Sequence, residues 1–139
     1  MPNFGNCEAT VNHRRIVFKE NKRKITFYND DRKSIRRIII DNCVITEGIK
    51  CDYLMIAEDD TEYYIELKGC DVRYAIQQII RTIKTVSSDI VGLKKYSYII
   101  SSRCPLSSTE TQLLRLKFKR RYNSVLKIKT NYYEEKNDL

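Results

Sequence analysis

The chain has 139 residues, 42% of them hydrophobic and 32% charged, and carries a formal net charge of +8 at pH 7. That balance fits a globular fold and excludes a disordered chain. The lack of any apolar run near the ~20 residues of a membrane helix excludes a helical span, and the length suits a single domain, 1–139.

In chain order, the opening MPNFGNCEATVNHRR has no apolar signal core, so a cytoplasmic location is expected. Residues 14–20 (RRIVFKE) and 24–30 (KITFYND) mix β-branched and aromatic residues around a basic turn, and read as strands. Residues 34–41 (SIRRIIID) form a third run, ending as a more buried strand. Residues 50–58 and 61–68 are two further strands, joined by a short acidic turn that predicts a hairpin. The early strands are expected to form a meander.

The period changes at Asp71. Apolar residues fall at Val72, Ile76, Ile79, Ile80, Ile83 and Val86, the stripe of an amphipathic helix, with Asp71 as its N-cap. Arg73, Gln77, Arg81 and Lys84 form its polar, basic face. A strand follows at 95–101, then a helix at 107–122 opened by a Ser107/Glu110 capping box, then a strand at 125–133. Strand–helix–strand crossovers give parallel pairing, so the fold class is α/β with a mixed sheet and flanking helices.

The five cysteines, at 7, 43, 51, 70 and 104, include no CxxC pair. Their odd number argues against a disulfide framework, and a metal cluster of Cys7, Cys43, Cys51 and His13 is disfavoured against plain buried thiols. Charge is unevenly spread: +5 over residues 1–50, −4 over 51–91 and +7 over 92–139. Basic ends suit a polyanion partner, although charge alone fits a merely soluble surface equally well. The acids at 58, 59, 60 and 62 read as a solvated hairpin tip, and the tyrosine pairs 63–64 and 132–133 as sheet packing.

The chemistry concentrates in CDYLMIAEDDTEYYIELKGCD, residues 51–71. Side chains alternate along a strand, so Tyr64, Glu66 and Lys68 share one face. In a hairpin, Asp52 at the start of one strand approaches Glu66 and Lys68 at the end of the next. Two carboxylates and an amine suit a hard divalent cation, Mg²⁺ or Mn²⁺. Taken alone, Glu66 and Lys68 read as well as a surface ion pair worth at most ~1 kcal/mol.

This pattern resembles the PD-(D/E)XK nuclease superfamily, which includes restriction endonucleases and Holliday-junction resolvases. The resemblance rests on CD at 51–52, IELKG at 65–69 with thirteen residues between Asp52 and Glu66, and the helix DVRYAIQQI, and covers roughly residues 36–103. It implies a restriction endonuclease-like fold and a metal-dependent hydrolase acting on nucleic acid, with DNA expected. Asp52, Glu66 and the Leu67 carbonyl would bind the metal, and Lys68 would be catalytic. Gln77 or Gln78 matches a glutamine that the family often carries on this helix, and the spacing does not say which. Cys51 stands in place of the proline of the first half-motif. A further family Glu on an N-terminal helix has only Glu8 and Glu20 as candidates here, and Asp41 is another nearby acid. Arg73, Gln77, Arg81, Lys84, Lys117, Lys119, Arg120 and Arg121 would bind phosphates, the chain acting as a homodimer or within a larger complex. The alternative is a non-catalytic nucleic-acid-binding or assembly subunit retaining the nuclease-like fold. A protein-interaction domain with a basic surface is a third class.

Overall fold

Strands whose side chains are apolar on both faces need cover on both faces. The computed structural model describes residues 3–103, 106–136 and 139. A 3-10 turn (Gly5–Cys7) leads into β1 (Glu8–Val11), β2 (Arg15–Glu20), β3 (Arg23–Tyr28), β4 (Ile35–Ile39), β5 (Tyr53–Ile56) and β6 (Glu62–Lys68). Then come α1 (Val72–Val86), β7 (Lys95–Ser101), α2 (Ser108–Tyr122), β8 (Ser124–Thr130) and β9 (Tyr132–Glu135). No helix among the described residues is long and apolar enough to cross a membrane.

The main sheet runs β1-β4-β5-β6-β7-β8, and a second sheet runs β2-β3-β9. Strands β1, β4, β5 and β6 each run antiparallel to the next, whereas β6, β7 and β8 are parallel, as their helical crossovers require. The α/β class and mixed sheet read from the sequence are therefore present. One face of the main sheet packs on α1 and α2 through Leu54, Tyr64, Ile76, Ile79, Ile83, Ile99 and Phe118. The other packs Met55, Ile65, Leu67, Tyr98 and Ile100 against Ile16, Phe18, Ile25 and Phe27 of the small sheet. The molecule has three layers.

The expected early meander is corrected by that back face. Strands β2 and β3 leave the main sheet to cover it, and β4 pairs with β1 and β5 instead. The strand expected over 125–133 is two strands, broken at Asn131, whose φ of 59° is left-handed. Its backbone N–H bonds Ser101 O and its carbonyl accepts from Lys24 N, so the turn hands the chain from one sheet to the other. The helix starts match expectation: Asp71 accepts from Tyr74 N, and Ser107 from Glu110 N.

Two buried ions hold loops. Lys95 donates to the carbonyls of Asp89, Ile90 and Leu93 at 2.6, 3.0 and 2.7 Å, and burial pulls its pKa down. Glu62, expected on a solvated tip, is instead buried and accepts from Tyr64 Oη, Ser87 Oγ and Ser88 N. It thereby fastens the C-terminal end of α1 to the start of β6.

The cysteine expectation is corrected too. Cys7 and Cys43 form a disulfide, Cys51 is buried and Cys70 exposed, while Cys104 lies outside the described residues. The bridge ties the N-terminal turn to the loop after β4 across 36 residues of sequence. A closed loop of that size removes enough unfolded-state entropy for about 3–4 kcal/mol. A Cys7→Ser/Cys43→Ser variant is expected to lose about that much unfolding free energy in urea titrations, and reductant should destabilise the wild type but not the variant.

Candidate functional site at the end of the β5–β6 hairpin

The hairpin register pairs Tyr53 with Ile65 and Leu54 with Tyr64, which brings Asp52 to the Glu66 end of β6 as expected. Glu66 lies on the helix-facing side with Tyr64, in register with Ile99 of β7. Strand β5 begins only at Tyr53, and Asp52 caps the end of its neighbour, Oδ2 accepting from Leu67 N at 2.9 Å. The Asp52 carbonyl in turn accepts from the N–H groups of Ile40 and Asp41. Asp52 is thus half-buried between the ends of three strands.

Helix α1 builds the roof. Gln78 Nε2 donates to Lys50 O at 3.0 Å. Thr82 Oγ1 accepts from Cys51 N and donates to Gln78 O, both at 2.8 Å. Arg81 Nη1 donates to the carbonyls of Glu47 and Ile49. Gly48 sits beside that guanidinium with φ of 81°, which favours glycine, and a Cβ there would lie 2.9 Å from Nη1 and push the guanidinium aside. Three residues of one helix therefore clamp residues 47–51 and set where Asp52 points. Thr82 and this role of Arg81 were not anticipated. The available signal was a threonine at a buried position of the apolar stripe, four residues after Gln78.

The carboxyls are unlike surface acids. Glu66 is 3% exposed, and its Oε1 has no hydrogen-bond partner. Burial, then the Asp52 charge, push its pKa up to about 8, against the pull of Lys68. Burial pushes Asp52 up to about 6; the Leu67 N–H and Lys68 draw it down, while Glu20 and Asp41 raise it. At pH 7 Glu66 is therefore mostly protonated. Gln78 Oε1 is a second buried oxygen without a partner. Lys68 Nζ lies 4.7 Å from the Tyr74 ring centroid. Glu20 and Asp41 act on the pair only through space, Asp41 also lying 3.8 Å from Lys50 Nζ. Glu8 is engaged elsewhere, in a two-pronged pair with Arg36 at 2.7 and 2.8 Å.

The expected phosphate-binding residues separate into two groups. Arg73 pairs with Glu110 of α2 at 2.9 and 3.0 Å, and Arg81 is engaged by its carbonyls, so the basic face of α1 is partly committed internally. Gln77 and Lys84 are exposed, as are Lys119, Arg120 and Arg121 in the last turn of α2, with Lys117 half-buried.

No family model matches the chain, and no solved structure matches it. The chain is similar to the ribosome maturation factor RimM of Thermotoga neapolitana, 29% identical over 112 residues that cover 66% of this chain and 64% of the relative. It thus spans less than two thirds of that relative's length.

This likeness overturns the expectation of a nuclease. The relative is a maturation factor, and the endonuclease, hydrolase and DNA-cleaving readings of the chain are corrected accordingly. Among the described residues no three acidic, histidine or cysteine side chains converge as a metal-holding group.

A carboxyl that keeps its proton when folded but loses it above about 4.5 when unfolded stabilises the fold fully at low pH. That contribution fades as pH rises through 8. In metal-free buffer, Glu66→Gln is expected to match the wild type near pH 4.5 and exceed it at pH 8, by on the order of a few kcal/mol. Chemical denaturation at several pH values reads this directly, and parallel profiles for the two proteins would contradict the buried, protonated state.

Proposed function

We propose that the chain is a non-catalytic RNA-binding assembly subunit, built on a restriction endonuclease-like core and acting within a larger ribonucleoprotein complex. The observation that carries this reading is the exposed cation cluster Lys119, Arg120 and Arg121 in a chain with net charge +8. Clustered cations bind phosphates and release counterions without reading sequence. The similarity to a ribosome maturation factor supports RNA rather than DNA as the polyanion. The order of antiparallel β4-β5-β6, then α1 and parallel β7 and β8, supports the nuclease-like core.

In this reading the hairpin end is a structural site. Asp52, Glu66 and the Leu67 carbonyl would hold a Mg²⁺ ion, and the orphaned Glu66 Oε1 is the feature that fits a hard cation. A bound divalent ion supplies the positive charge that lets both carboxyls ionise. Gln78 and Thr82 hold the 50–51 segment in place for it, and Lys68 balances the remaining negative charge. Lys84 and Lys117 extend the cationic surface and the exposed, neutral Gln77 adds a polar group beside it, with Arg73 and Arg81 serving chiefly to brace α1.

Fluorescence anisotropy with ribosomal RNA fragments tests the reading. Lys119→Glu/Arg120→Glu/Arg121→Glu is expected to weaken binding at least about tenfold and to flatten the dependence of affinity on salt, while Lys68→Ala leaves both unchanged. The RNA should be recovered intact after incubation with Mg²⁺; metal-dependent cleavage that Glu66→Gln abolishes would defeat the non-catalytic assignment. At pH 8, millimolar Mg²⁺ is expected to raise the melting temperature of the wild type but not of Glu66→Gln.

A further inference from the structure

Strand β8 is the last strand of the main sheet, and among the described strands it pairs only with β7. Its side chains alternate. Leu126 and Ile128 pack toward the helices, so Val125, Lys127 and Lys129 face the other way. Arg115 and Lys119 of α2 stand on one side of this edge, and Tyr133 of β9 on the other. Together they line an open cavity of about 370 Å³. Ligand sites commonly measure about 300–1,000 Å³, so the groove is large enough for a nucleotide-sized group.

Charge and aromatic surface are combined here in a particular way. Lys129 Nζ lies 4.9 Å and Lys127 Nζ 5.8 Å from the centroid of the half-buried Tyr133 ring. The acid in contact with the groove's cations is Glu135, which is 5% exposed, takes Lys127 at 2.5 Å and accepts from Tyr98 Oη at 2.8 Å. Four cations, Arg115, Lys119, Lys127 and Lys129, thus line the groove, and Glu135 pairs with Lys127. A ring bracketed by ammonium groups is a stacking platform beside a phosphate site.

From this geometry we infer that the groove between α2 and β9 along the β8 edge binds single-stranded RNA, with one unpaired base on Tyr133 and the adjoining phosphates on Arg115, Lys119 and Lys129. The inference rests on the RNA-binding reading above and deepens it: it names an unpaired strand as the form of RNA bound. A base settling on Tyr133 displaces Lys129 from the ring and leaves that ammonium free for the neighbouring phosphate. An extended peptide added to the β8 edge is the competing occupant. Lysines along an edge strand oppose strand addition, which favours the nucleic acid.

The test is anisotropy with a labelled single-stranded RNA decamer, an RNA duplex of the same sequence and a poly-glutamate peptide. Tyr133→Ala is expected to weaken decamer binding roughly five- to a hundredfold, with Tyr133→Phe near wild type. Lys129→Ala should lower the slope of log affinity against log salt by about 0.7, whereas Tyr133→Ala leaves it unchanged. Melting curves for each variant separate loss of binding from loss of fold, and Tyr133→Phe provides a second readout should Tyr133→Ala unfold. Decamer binding that depends on Lys119–Arg121 but ignores Tyr133 and Lys129 would sink the groove assignment alone. Absence of RNA binding by the wild type would sink both readings. Duplex preferred over decamer would overturn the unpaired-strand claim, and tighter binding of poly-glutamate would identify a peptide site instead.

Discussion

Strand β6 has neighbours on both edges and cover on both faces. It runs antiparallel to β5 and parallel to β7, with Tyr64 and Glu66 under the helices and Tyr63, Ile65 and Leu67 under the small sheet. A central strand in that position leaves no polar group a route to water. Much of the unusual chemistry of the molecule follows from placing two glutamates on it. Glu62 is satisfied by three donors and becomes an anchor for α1. Glu66 keeps an oxygen without a partner, and its pKa rises accordingly. The difference lies in what each meets: Glu62 lies under the end of α1, where Ser87 and Ser88 offer donors, and Glu66 lies beside a second carboxyl.

Helix α1 has a different task from the one its polar face suggested. An i, i+4 row of Arg73, Gln77 and Arg81 reads as a phosphate-binding ridge. In the folded chain Arg81 and Gln78 take backbone carbonyls of the loop that delivers Asp52, and Arg73 reaches across to Glu110. A guanidinium taken by two carbonyls over a glycine is a structural clamp with little left to offer a ligand. Exposed and half-buried cations also gather on α2 and β8, at the end of the sheet order away from β1, within a segment whose charge sum is +7 over residues 92–139.

The two regions accordingly divide the work. The hairpin end is acidic and withdrawn from solvent, and burial raises the pKa of both Asp52 and Glu66, so its effect falls first on stability. The α2–β8 edge is open, cationic and partly aromatic, which suits weak, salt-sensitive contact with a polyanion. The cysteine bridge braces the side of the main sheet where β1 and β4 pair, far in sheet order from β8, so the proposed binding edge is free of covalent constraint among the described residues.

Much of the architecture follows from patterns local to the chain. The period-2 runs gave β2 to β7 within a few residues. The 3.6-residue stripe gave α1, the capping box gave α2, and the strand–helix–strand order required parallel pairing. The hairpin also put Asp52 near Glu66, because antiparallel register is set by a short turn. What only tertiary structure decided depends on contacts between distant segments. Strands β2 and β3 leave the meander because a back face built from Ile65, Leu67, Tyr98 and Ile100 must be covered. Cys7 meets Cys43 because β1 pairs with β4. Arg81 becomes a clamp because the 47–51 loop passes over it. Sequence states which residues are charged; which charges remain free is settled by the partners that folding brings to them.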